Sequence, residues 1–206
     1  MNRRDGLTAG LALLVMAILA GWANLAVVER YVVRGDADST ARAVEAHPGA
    51  FHLAAAAFAA VVVLDVVVAL ALWRFLRPVH ARAAALAAWA RLAYAAAFAV
   101  AVTLLAAGRP LDFLRVWDAA LGVFAVHLAL IGWLCLRARA PRVIGPLLYV
   151  AAAGYVTDAV VSVAAPDSSV RVAAFTFVGE VALMAWLLWR ARAGRRTPHA
   201  AGSAPG

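Results

Sequence analysis

Residues 51–108 read FHLAAAAFAAVVVLDVVVALALWRFLRPVHARAAALAAWARLAYAAAFAVAVTLLAAG. Two apolar runs flank the turn from Arg74 to His80, and each run holds one full charge, Asp65 before the turn and Arg91 after it. Pro78 stands midway between the two charges in the chain. In a pair of antiparallel helices turning at Pro78, each charge lies about 20 Å along its arm at 1.5 Å per residue. The two are then at one depth and able to meet.

The rest of the chain keeps the same character. Of 206 residues 66% are hydrophobic and 15% charged, whereas soluble domains are about 45–50% apolar. Mean hydropathy is +0.87. A soluble fold of this length needs far more polar residues to cover its surface, so the expected class is an all-α integral membrane bundle. The single cysteine, Cys135, excludes an intramolecular disulfide and any zinc site built on cysteines. All 19 basic residues are arginine, which together with the Ala and Val usage fits a GC-rich bacterial genome.

Six runs are long enough to cross a hydrocarbon core of about 30 Å: residues 7–28, 51–72, 83–107, 119–136, 143–165 and 172–189. They form one transmembrane domain over residues 1–190, and the basic Gly/Pro/Ala-rich stretch 191–206 is expected to be a disordered tail. The first run exceeds the apolar core of a secretory signal, so it is read as a retained helix. Between the first two runs, Asp36 and Asp38 offer N-caps for a short helix through Thr40–Ala46 that ends at Pro48-Gly49. Residues 111–118 (LDFLRVWD) are too charged to span and aromatic enough to lie at an interface.

Charge sets the expected orientation. Placing the N-terminus inside puts twelve arginines on that side (Arg3, Arg4, Arg74, Arg77, Arg82, Arg137, Arg139, Arg142, Arg190, Arg192, Arg195, Arg196) with one acid, Asp5. The opposite loops hold six arginines and seven acids. The asymmetry follows the positive-inside rule, so both termini are expected in the cytoplasm and the chain in the cell's inner (plasma) membrane. The net charge of +8 is therefore topological, and no nucleic-acid partner is expected. The expected partner is the lipid bilayer; protein partners and any small ligand are not named by the sequence.

Charges inside a membrane cost about 2.5–3.5 kcal/mol each on insertion scales, so those that stay need a reason. Counted from the arginine-rich ends, Asp65, Arg91, His127 and Glu180 lie roughly 13–15 Å in at the helical rise, an inner polar layer. Asn24 and Asp158 lie roughly 25 Å in by the same measure and form an outer layer. Asp65 and Arg91 are either a structural ion pair or part of a binding or transport site. His127 and Glu180 either share a proton or bond to neighbouring helices, with Thr176 one turn from Glu180 as a partner. Gly154, Asp158 and Ser162 repeat at four-residue spacing beside Tyr155 and should face the interior. Gly6-xxx-Gly10 and Ala17-xxx-Gly21 permit close helix packing. Most of the seven tryptophans fall near span ends, as interfacial belts do.

Several chemistries have no support in these residues. His52 and His127 sit at different depths and make no haem pair, no cofactor is expected, and no metal, P-loop or nucleophile-elbow motif occurs. The readings left are a membrane protein that binds or moves a small solute or proton through its polar layer, an intramembrane enzyme on a lipid-like substrate, or a structural or regulatory partner. No catalytic residue is assigned.

A set of short motifs resembles the bacterial six-span family known as domain of unknown function 4386 (DUF4386). They are Val33-Arg-Gly-Asp36 before a short helix, Leu64-Asp65, Leu76-Arg-Pro-Val79, Ala90-Arg91-Leu92, and the His127 helix followed by Arg139-Ala-Pro141-Arg-Val-Ile-Gly145. Ala153-Gly-Tyr155-Val-Thr-Asp158 and Gly179-Glu180 complete the set, which covers Leu7 to Arg190. The loop after Asp36 is more charged than the family pattern, and His52 stands where a basic residue is usual. The resemblance implies six membrane helices and no stated activity.

Overall fold

The turn at Pro78 joins two helices whose lengths follow from what bounds them. The computed structural model describes residues 2–138, 140–165, 172 and 177–193, and every regular element among them is helical. Helix α1, Arg3–Tyr31, contains a wide π turn over Asn24–Val28, where the Glu29 N–H reaches back to the Asn24 carbonyl. Helix α2 is Ala37–Ala46, α3 Pro48–Leu76, α4 Ala81–Ala106, α5 Pro110–Arg137, α6 Ile144–Ala164 and α7 Val178–Ala193.

Local chemistry sets these limits. Asp36 caps α2 by accepting the Ser39 N–H at 2.8 Å. Pro48 and Pro110 open α3 and α5 at the first helical position, where a missing N–H costs nothing. The His80 ring Nδ1 accepts the Ala83 N–H at 3.1 Å and so caps α4, while Gly108 (φ +72°) ends it. There the Arg109 N–H bonds the Leu104 carbonyl and the Gly108 N–H bonds the Leu105 carbonyl, the paired closure that a residue in the left-handed region allows.

Five helices, α1 and α3 to α6, are long and apolar enough to cross a membrane. Helix α7 has 16 residues among those described, about 24 Å at 1.5 Å per residue. It stands where a span over 172–189 was expected, begins later, and continues past Arg190 into the stretch read as tail. The six long elements pack as a closed ring in which each contacts the next along the chain and α7 returns to α1. The short α2 lies across the mouth of the ring, touching α3 and α5.

The segment Leu111–Asp118 is not a separate interfacial stretch. It forms the first turns of α5, and its inward positions, Phe113, Leu114 and Asp118, are buried. The charges that argued against continuation are paired: Asp112 meets Arg109 at 2.7 Å and Arg115 at 3.3 Å, and Asp118 meets Arg34 at 3.0 Å. Trp117 likewise leaves the belt for the core, with Phe58, Phe98 and Phe113 at centroid distances of 5.5, 5.4 and 5.2 Å. Trp186 is buried edge-on to Phe75. Trp22, Trp89 and Trp189 remain exposed on the outer surface.

Packing without a water-driven force between helices relies on close approach. A side chain at Gly6 would strike Phe75 of α3, and one at Gly10 would strike Leu187 and Leu188 of α7, so this pair of glycines seats α1 between two neighbours. Gly21 faces open space and has no such role. At Gly179 a Cβ would collide with the backbone of Leu147 and Leu148, which fixes where α7 crosses α6.

Candidate functional site

The inner layer comes together as two units. Arg91 is the centre of the first, and Asp65, Arg91 and His127 are 0%, 2% and 1% exposed. The Arg91 Nη2 stands 2.7 Å from Asp65 Oδ1, an ion pair by distance whose angle falls short of a hydrogen bond. Arg91 Nη1 lies 3.2 Å from His127 Nε2, and His127 Nδ1 lies 2.8 Å from the Ala87 carbonyl, one turn before Arg91 on α4.

These partners assign the histidine tautomer. A guanidinium has only donors, so Nε2 must accept; a carbonyl has only lone pairs, so Nδ1 must carry the proton. His127 is therefore held as the neutral Nδ1–H form, since a proton on Nε2 would set two N–H groups against each other. The expectation that His127 and Glu180 share a proton finds no bond here, because both ring nitrogens are engaged elsewhere. Arg91 also reaches Met16 of α1 through Nη2 at 3.8 Å and lies over the Phe124 ring at 5.2 Å, a cation–π contact. One arginine thus ties α1, α3 and α5 to α4.

Glu180 and Tyr155 make the second unit. The Tyr155 hydroxyl donates to Glu180 Oε1 at 2.6 Å, joining α6 to the first turn of α7, and both residues are half-buried. Phe124 separates the two units, packing on His127 at 5.4 Å, edge-on to Tyr155 at 5.6 Å and against Tyr94 at 4.7 Å. Tyr94 takes a hydrogen bond from the Trp117 indole at 3.2 Å, which links this layer to the aromatic cluster above.

The two residues of the outer layer each have a partner of their own. Asn24 opens the π turn and donates along its own helix to Glu29 at 3.5 Å. Asp158 is buried and accepts the Val172 N–H at 2.7 Å. That bond satisfies backbone where the chain lies beside α6, a requirement at membrane depth. Gly154 is buried with Asp158, while Ser162 bonds its own helix at Ala159. Thr176, expected beside Glu180, lies outside the described residues. No group of three His, Cys, Asp or Glu residues is close enough to hold a metal ion among the described residues.

A family model described as domain of unknown function (DUF4386) matches residues 8–112 and 111–191. The chain belongs to the DUF4386 family. It is also 32% identical over 133 residues to an uncharacterised protein of Archaeoglobus fulgidus, covering 64% of this chain and 80% of that one. No solved structure matches. This DUF4386 protein is accordingly a multi-pass membrane protein of unknown function, and any activity must be argued from its own residues.

Sequence reasoning misses four parts of the site. Tyr155 shows in one dimension only as a neighbour of the stripe on α6, because a hydroxyl on a different helix from Glu180 carries no local signal. Met16 and Phe124 reach Arg91 through the ring interior and look like ordinary core residues in the sequence. His80 reads as part of a turn; its place immediately before Ala81, with no Ser, Thr, Asp or Asn nearby, is the available hint of a cap.

Proposed function

We propose that this DUF4386 protein binds, and passes across the membrane, a proton or small cationic solute, with Glu180 as the binding carboxylate. The observation that carries the reading is a charge count across the layer. Asp65 and Arg91 cancel, His127 is neutral by its partners, and Glu180 leaves one negative charge that no described cation contacts. A lone carboxylate in low-dielectric surroundings is relieved by a proton or a cation. Glu180 also stands in the first turn of α7, where the helix dipole favours a negative charge, so the unloaded state is tolerated as well. A site that changes occupancy needs both states.

In this reading α7 is the sixth crossing, both termini face the cytoplasm as the arginine asymmetry indicates, and the membrane is the bacterial inner membrane. Tyr155 orients Glu180, and the Asp65–Arg91–His127 unit is a fixed frame. Purified protein in liposomes loaded with a pH-sensitive dye tests the proposal. Under an imposed potential the wild type should pass protons, and Glu180→Gln should not. Equal flux in the two overturns it. An intramembrane enzyme would instead need His127 as base, and neither ring nitrogen is free for that work. A purely structural role for the whole layer is supported by the closed triad but leaves Glu180 without a purpose.

A further inference from the structure

The helix ends that meet at the α3–α4 turn carry more unpaired arginines than the opposite end. At the opposite end Arg34, Arg109 and Arg115 are paired with Asp118 or Asp112, and Arg30, over the Tyr31 ring at 5.2 Å, and Arg42 have no ion pair among the described residues. At this end Arg77, Arg82, Arg137, Arg142 and Arg190 are all exposed, and none pairs with a carboxylate among the described residues. Several instead lie on aromatic faces. The Arg137 guanidinium is 3.8 Å from the Trp133 ring centroid, Arg77 is 5.4 Å from Trp73, and Arg190 is 5.8 Å from both Phe75 and Trp186.

We propose that this arginine–tryptophan rim binds the phosphate headgroups of anionic phospholipids, with Trp133 and its two flanking residues as the principal contact. Arg137 covers one part of the indole, and His80 meets it edge-on at 5.3 Å. His80 Nδ1 is occupied by the Ala83 N–H, so its proton resides on Nε2, a second donor on the ring that meets Trp133. A planar guanidinium on an aromatic face keeps its outer N–H groups aimed away from the ring, in the geometry that phosphate oxygens accept. The occupant follows from depth and charge. The rim lies at the ends of helices long and apolar enough to cross a membrane, where headgroups are, and it presents cations without carboxylate partners among the described residues.

Native mass spectrometry of the full chain in neutral detergent, with added phosphatidylglycerol or phosphatidylcholine, tests this. The wild type should retain phosphatidylglycerol in preference to phosphatidylcholine. Arg137→Gln should lower that retention about fivefold, the effect of one arginine at a charged lipid surface. Arg115→Gln, an exposed arginine at the opposite end, should leave it unchanged. Both sites are exposed, and a matching melting temperature for each variant establishes that it is folded. Equal retention of the two lipids by the wild type overturns the proposal. So does wild-type retention in an Arg77→Gln, Arg137→Gln double variant. Excess inorganic phosphate should not displace the lipid; if phosphate alone does so, the rim is a site for a soluble anion. Specific copurification of an acidic protein in place of lipid also overturns the assignment.

Discussion

Asp65 and Glu180 are two carboxylates of one interior layer, in opposite circumstances. Asp65 is fully buried against Arg91, which is itself held by His127, Met16 and Phe124. Glu180 is half-buried, bonded through one oxygen to Tyr155, on the short helix that closes the ring. The first belongs to a unit built from four long helices and has its charge cancelled. The second sits at the join of α6 and α7 with its charge uncancelled. A membrane interior penalises both, and on the function proposed above the difference in compensation separates a residue that holds the fold from one available for exchange.

Breaking the frame should have the largest effect. Asp65→Ala strands the Arg91 charge in the core, and loss of one partner of a buried pair costs about 3–5 kcal/mol. It should lower both membrane yield and melting temperature, and wild-type yield and stability would refute the frame. Asp65→Leu combined with Arg91→Met removes both charges and should recover much of the loss.

Glu180→Gln sharpens the contrast from the other side. Flux should fall at least about tenfold, equivalent to about 1.4 kcal/mol in the barrier, while the melting temperature stays near the wild type. A collapse of stability matching that of Asp65→Ala would place the two carboxylates in one class. An intermediate effect is expected at His127→Phe, which leaves the Arg91 Nη1 unsatisfied at about 1–3 kcal/mol. Nitrogen NMR of labelled wild type should find the His127 proton on Nδ1; an Nε2–H ring would undo the assignment.

The smallest effect belongs to the exposed ion pairs at the start of α5. Arg115→Ala removes an exposed ion pair to Asp112, worth about 1 kcal/mol or less. Thermal unfolding at low and at high salt should show that small loss vanish as screening rises. A loss as large as that of Asp65→Ala would mean that the loop end of the ring is as tightly coupled as its centre.

Much of this arrangement is legible in one dimension, and the reason is physical. A charge in an apolar run is so costly that its presence alone marks the interior, and a fixed rise per residue converts counts into depth. That is why Asp65 and Arg91, equidistant from Pro78, stand out as a pair. It is also why His127 and Glu180 fall in the same layer. The Asp36 cap and the hairpin turn are readable because their bonds are local.

Two readings go astray because a residue's partners and the side of the helix it faces are set by packing. Residues 111–118 look too charged to join a spanning helix until Arg34, Arg109 and Arg115 pair with their acids. Trp117 and Trp186 look like belt residues because depth counting is blind to which side of a helix faces inward. Asn24 and Asp158, at one counted depth, have partners that the count does not name, the Glu29 carboxylate and the Val172 N–H.

The sequence by itself determined that this is a multi-pass helical membrane protein of the DUF4386 family with a charged layer inside it. Hydropathy, helix rise and the cost of buried charge depend only on residue type and spacing. Which member of that layer is locked and which is open was decided by the tertiary structure. Closure of the ring brings Arg91 onto His127 and Tyr155 onto Glu180, fixing a tautomer and leaving one charge uncancelled. Hydrogen-bond direction is a property of partners, and partners exist only once the helices have met.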